Sequence, residues 1–144
     1  MRAPELDALD LHAALETAAR TAATAVASSG IVVSWHIEGT PRRLSPASEM
    51  ATLRIGKEAI ANAVAHAAAS TIDVVLSYDA DAVRLTVRDD GRGLDPDAVT
   101  RANAHGHWGL RGMHERAAQI GATLEIASVN DRGTSITLIV PVGH

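Results

Sequence analysis

Cysteine is missing from all 144 residues, which excludes disulfides, thiol catalysis and thiolate metal sites together. Phenylalanine is missing too, and two Trp and one Tyr make up the aromatic set. A core can pack without large rings, but it offers few platforms on which nucleic-acid bases could stack. Excess basic charge is also lacking: the formal net charge of −4 argues against a nucleic-acid face. No apolar run approaches the ~20 residues of a membrane span. The N-terminal MRAPELDALD has no apolar centre of the kind a signal peptide needs. The expectation from these absences is a cytoplasmic domain with no membrane contact of its own, or a fragment of a larger cytoplasmic region.

What is present is aliphatic. Nearly half the residues are apolar, mostly Ala, Val, Leu and Ile, enough for one packed core in a chain of ordinary domain size. Residues 9–28 have Leu11, Leu15, Ala18, Ala22 and Val26 at helical spacing, with Ser29-Gly30 as a stop. IVVSWHIE, residues 31–38, alternates as a strand, and a Pro-containing connection follows Gly39. A second helix is predicted from about Ser48 to Ala68, capped near Ser45 or Ser48. TIDVVLSY and AVRLTVRD, joined by DADA, predict a hairpin. A Gly- and His-containing connection over 91–108 leads to a third helix at about 110–120, stopped by Gly121. TLEIASV, NDRG and TSITLIVPV predict a second hairpin. The fold expected is a two-layer α/β sandwich: a mixed, largely antiparallel sheet of about five strands with three helices on one face.

VRDDGRGLD, residues 87–95, places adjacent carboxylates at a strand end. Parity sets Val83, Leu85, Val87 and Asp89 on the helix side and sends Asp90 towards solvent. An inward carboxylate needs hydrogen-bond donors. They could be the amides of the following Gly turn, or the N–H groups of a ligand that Gly91 and Gly93 allow to approach the backbone. In the second helix Glu58, Asn62 and His66 recur every fourth residue and share a stripe. The stripe is either a solvated face or a set that includes oxygen ligands of the kind Mg2+ accepts beside phosphates. Gly106, Gly109 and Gly112 run into the third helix, whose N-terminus could meet phosphate. This is not a Walker loop, because Gly56-Lys57 is followed by Glu58 and lacks the earlier Gly.

EAIANAVAHA, VRDDGRG, GHWGLRGMHERA and DRGTSITLIVPV, in that order over about residues 31–142, resemble the ATP-binding catalytic domain of a sensor histidine kinase. That domain belongs to the GHKL ATPase superfamily. The resemblance implies an N-terminal helix, residues 1–30, packed on or linking to a missing dimerisation domain, and a catalytic domain over 31–144. It implies ATP and Mg2+ as cofactors, and transfer of the γ-phosphoryl to a histidine on a separate domain, then to a response regulator. Asp89 would accept a hydrogen bond from the adenine amino group, with Gly91 and Gly93 passing against the base. Asn62 would help hold Mg2+, Glu58 would orient Mg2+-bound water or the acceptor, and His66 would donate to phosphate. Gly109, Leu110 and Gly112 would form the lid and its hinge, and Thr134 would bond near adenine. The chain departs from the family at Ala65, where many kinases have a basic residue; Lys57, Arg92, Arg101, His105, His107 or Arg111 could compensate. No His stands in the setting of a phosphoacceptor, since His12 is followed by Ala13-Ala14. The alternatives are a stand-alone GHKL Ser/Thr kinase acting on a regulatory partner, and a non-catalytic ATP-sensing module.

Overall fold

The computed structural model of the chain describes residues 10–66, 70–91, 110–129 and 133–142. Helix α1, Leu11–Val26, follows from an Ala-rich run with no Gly or Pro inside it. It passes into a short 3-10 turn at Ala27–Ser29, and Gly30 ends it in the left-handed region at φ 77°. Strand β1 is Val32–Glu38 and helix α2 is Pro46–His66. Ser45 is the cap of α2: its Oγ accepts the Ser48 N–H at 3.1 Å, and Pro46 takes the first helical position, where no N–H is required. Strands β2, Thr71–Tyr78, and β3, Ala82–Asp89, form the first expected hairpin. Helix α3 is Leu110–Gln119, and β4, Thr123–Val129, pairs with β5, Gly133–Pro141.

The sheet runs β1-β2-β3-β5-β4. Among the described strands only β1 and β2 are parallel, and α2 provides the crossover that parallel neighbours need. The register lines up the inward residues in rows. Trp35, Val74, Val87, Ile136 and Ile126 form one row, and Ile37, Leu76, Leu85, Leu138 and Leu124 the next. Over this face α1 packs on β1, α2 crosses β3, and α3 packs on β4. The opposite face is the polar one, with Arg84 and Arg88 exposed as the alternation requires. On the same face a hydrogen bond joins Ser34 to Asp73.

Helix α1 contributes to the common core rather than standing apart from it: Leu11, Ala14, Leu15 and Ala19 are buried with the sheet residues. Ala18 and Ala22, which share its helical periodicity, are only partly buried and line a groove between α1 and α2. Gly56 explains how α1 and α2 come so close. A Cβ there would lie 2.6 Å from a Leu15 methyl and 3.0 Å from one of Leu85. At the lower end, Glu49 is 1% exposed, yet both carboxylate oxygens meet Arg43, Oε2 with Nε and Oε1 with Nη2, each at 2.8 Å. Arg43 also reaches Asp10 at 3.1 Å, which ties the start of α1 to the connection before α2. Nearby, burial and the Glu49 charge push the Tyr78 hydroxyl up to about 12.

Candidate functional site

Asp89 closes β3, on the inward side as parity requires, and is 8% exposed. Its row neighbours are Ile72 on one strand and Thr134 on the other. Asp89 Oδ1 accepts the Gly91 N–H at 2.9 Å, and the Thr134 N–H also donates to the carboxylate. So the Gly turn does satisfy this group, at least in part. Burial nevertheless raises the Asp89 pKa above its ordinary value; the two N–H donors pull the other way and the charge of Asp90 adds to the rise. No cation pairs with it among the described residues.

Asp90 is exposed, as expected, but it is not idle. Its Oδ1 accepts the N–H groups of Ser70 and Thr71 at 2.8 and 2.9 Å, and its own N–H donates to the Thr71 carbonyl. These donors, the Thr71 amide first, lower its pKa. The two aspartates therefore divide the work: Asp90 clamps the start of β2, and Asp89 faces inward beside Gly91 and Thr134. Gly133 makes that arrangement possible. Its φ is +102°, and any Cβ there would collide with the Asp89 backbone carbonyl.

The stripe on α2 is set apart from the helix's buried side, where Ile55, Ala59, Ile60 and Ala63 enter the core. Glu58 and Asn62 are both partly buried, and Ala65 is exposed. His66 ends α2, and its side chain lies outside the described residues. Glu58 Oε1 receives Arg116 Nη1 from α3 at 2.8 Å, an ion pair bridging the two helices. Leu110 is 1% exposed and sits in the core, anchoring the first turn of α3 together with Met113 and Ala117. Gly112 is partly buried; a Cβ there would touch Arg116 Nη1 at 3.4 Å. Gly93 and Gly109, with Arg92, Arg101, His105 and His107, lie outside the described residues.

The structure thus brings Asp89, Gly91 and Thr134 into contact, and joins Glu58 to α3 on the neighbouring helix layer. Sequence reasoning overlooked Arg116 and Gly133. Arg116 borders the buried Leu110–Met113–Ala117 stripe of an amphipathic helix, the position from which a long side chain reaches the next element. No cluster of three or more His, Asp or Glu able to hold a metal occurs among the described residues. The oxygen donors of Asn62 and Glu58 fit Mg2+ in its usual protein setting, where one or two side chains share the ion with substrate phosphates and water. Among the described residues, no helix is long and apolar enough to cross a membrane.

Comparison with known proteins gives the family and the fold. Residues 48–144 match the family described as histidine kinase-, DNA gyrase B- and HSP90-like ATPase. The sensor histidine kinase LiaS of Bacillus subtilis is 36% identical over 112 residues, which cover 78% of this chain and 29% of LiaS. The signal transduction histidine-protein kinase/phosphatase DegS of the same organism is 35% identical over 106 residues, 73% of this chain and 27% of DegS. The chain therefore spans under a third of the length of these relatives. Among solved structures, the histidine kinase domain of the Erythrobacter litoralis EL346 blue-light activated kinase superposes with a TM-score of 0.78 at 22% identity, over 92% of this chain and 61% of that one. The catalytic domain of the histidine kinase ThkA gives 0.77 at 12% identity, over 93% of both chains. At these identities the likeness is one of fold: a mixed sheet with helices packed on one face.

Proposed function

Because the chain belongs to the histidine kinase-, DNA gyrase B- and HSP90-like ATPase family, we propose that it binds ATP with Mg2+ as the catalytic domain of a two-component sensor kinase. The γ-phosphoryl passes to a histidine nitrogen on a separate dimerisation domain, ADP leaves, and a response-regulator aspartate receives the phosphoryl next. The observation that carries this reading is Asp89: a carboxylate 8% exposed, with backbone amides and no cation for partners among the described residues. Such a group is costly in isolation and suited to an incoming neutral N–H donor, which the adenine amino group supplies.

The parts then take roles. Asp89 reads the amino group, Gly91 and Gly93 let the base approach, and Thr134 bonds beside it. Asn62, and Glu58 through water, would hold Mg2+, which would supply charge neutralisation to the transferring phosphoryl group. His66 donates to phosphate, and Gly109, Leu110 and Gly112 belong to the lid and hinge, with Leu110 rooted in the core. Glu58 orients Mg2+-bound water or the acceptor. The protein contributes positioning and electrostatics, since phosphoryl transfer asks little covalent chemistry of it. The partners are the phosphoacceptor domain and a response regulator, and the setting is the cytoplasmic part of the kinase. Residues 1–30 lead towards the dimerisation domain. The exposed Ala65 favours one rival, a module that senses ATP without transferring it.

Calorimetry with an ATP analogue and Mg2+ tests the proposal on wild type and Asp89→Asn side by side. The expected result is saturable binding by wild type that Asp89→Asn loses. Absence of wild-type binding at millimolar nucleotide would overturn it. A kinase also transfers phosphoryl when supplied with an acceptor domain, and a Ser or Thr rather than a His as the labelled residue would identify the stand-alone kinase instead.

A further inference from the structure

We infer that Arg116 is the positioning residue for Glu58, fixing the carboxylate so that one oxygen remains available to the Mg2+-nucleotide. This rests on the nucleotide reading above and adds a residue of α3 to it. The argument is a contrast within the molecule. Arg43 grips Glu49 with two nitrogens on two oxygens, which locks a carboxylate that is 1% exposed. Arg116 grips Glu58 by one nitrogen on one oxygen, at 2.8 Å, and the carboxylate stays 35% exposed. Among the described residues Oε2 of Glu58 has no protein partner.

That geometry suits orientation better than stability, because partly exposed ion pairs contribute little to folding. It also resembles the outer partners of metal sites, which hold a donor in one rotamer and leave its other lone pairs for the ion. The placement is structural, not incidental. Leu110, Met113 and Ala117 fix α3 in the core, and α2 and α3 pack together. Gly112, one turn before Arg116, has no side chain where the guanidinium lies, and even a Cβ would come to 3.4 Å of Nη1. Six residues could stand in for the missing base at position 65. Of those, Arg111 is exposed and pairs with Glu115 along its own helix.

The test is calorimetric binding of AMP-PNP, with Mg2+ and with EDTA, to wild type, Glu58→Gln, Arg116→Met, Arg116→Lys and the Glu58→Gln/Arg116→Met double variant. The gain in affinity that Mg2+ confers is the readout. Arg116→Met should lose about tenfold of that gain, the lower end of what outer partners of metal ligands contribute, and retain the affinity measured in EDTA. Arg116→Lys should keep most of the gain, and the double variant should be no worse than Glu58→Gln. A full Mg2+ gain in Arg116→Met overturns the inference. So do additive losses in the double variant, since Arg116 would then act on the phosphates independently of Glu58. Failure of wild type to bind in either condition overturns the nucleotide reading itself, a result distinguishable from both. Thermal melts of the unliganded variants confirm that each is folded.

Discussion

Asp89 and Asp90 are neighbours in the chain with opposite linkage to pH. Burial raises the pKa of Asp89, so the native state holds its proton more tightly than the unfolded chain does. Its favourable contribution is present below the ordinary Asp value and is lost as pH rises through the raised one. At neutral pH the ionised group is therefore held at a cost. Asp89→Asn keeps an acceptor for Gly91 and Thr134 and removes the charge, so it should melt at or above wild type at pH 7, with the gap closing in acid. Asp90 is the reverse. Backbone amides of Thr71 and Ser70 lower its pKa, and its contribution is present above the ordinary value and lost as pH falls. Asp90→Asn should melt below wild type at pH 7 and converge with it in acid. Calorimetric melts from pH 7 to pH 3 check the pair; shifts of the same sign in both variants would refute this account. The inward turn of Asp89 was legible in the alternation of AVRLTVRD. The amides that Asp90 serves were not, because they lie at the start of β2 and depend on register, which no single strand encodes. Gly133 was hidden for the same reason, its need set by the carbonyl on the strand alongside.

At the scale of elements, periodicity and caps located every described helix and strand to within a few residues. The contacts between elements were less visible. Gly56 reads in sequence as half of a failed phosphate-loop motif; in the fold it is where α1, α2 and β3 meet. Ala at this position gains about 1 kcal/mol of helix propensity. Crowding the buried Leu15 and Leu85 costs roughly 1–3 kcal/mol, so Gly56→Ala should lose roughly 1 kcal/mol net. The penalty should largely vanish in a Leu15→Ala background, where space has been opened. Urea denaturation of the four proteins measures it, and an equal penalty in both backgrounds would exclude the Leu15 contact as its source. Arg116 escaped notice on similar grounds. A cation on a short polar helix looks solvated until the neighbouring helix is known to present Glu58.

For the whole molecule, the family motifs were readable because they are ordered and local, and the sheet order was not, since hairpins reveal only adjacent partners. The central place of β3 and β5 emerged from the register. Ligand linkage is the natural measurement at this scale. A Mg2+-ATP analogue at about 100 times its Kd should stabilise wild type by about 2.7 kcal/mol. That corresponds to a rise of roughly 5–10 °C in Tm for a domain of this size. Asp89→Asn should show no rise, and an equal rise in both proteins would place the nucleotide elsewhere.

The pairing of Asp89 with Thr134 also has a kinetic meaning. The β2–β3 and β4–β5 hairpins close short loops, whereas β3 and β5 meet only after α3 and the segments around it have been spanned. A chain that has formed its hairpins alone has the carboxylate but not the strand that completes its surroundings. Whatever binds at Asp89 and Thr134 together finds its site only in the finished sheet. Occupancy then governs how long the folded chain survives, and leaves the speed at which it forms to topology.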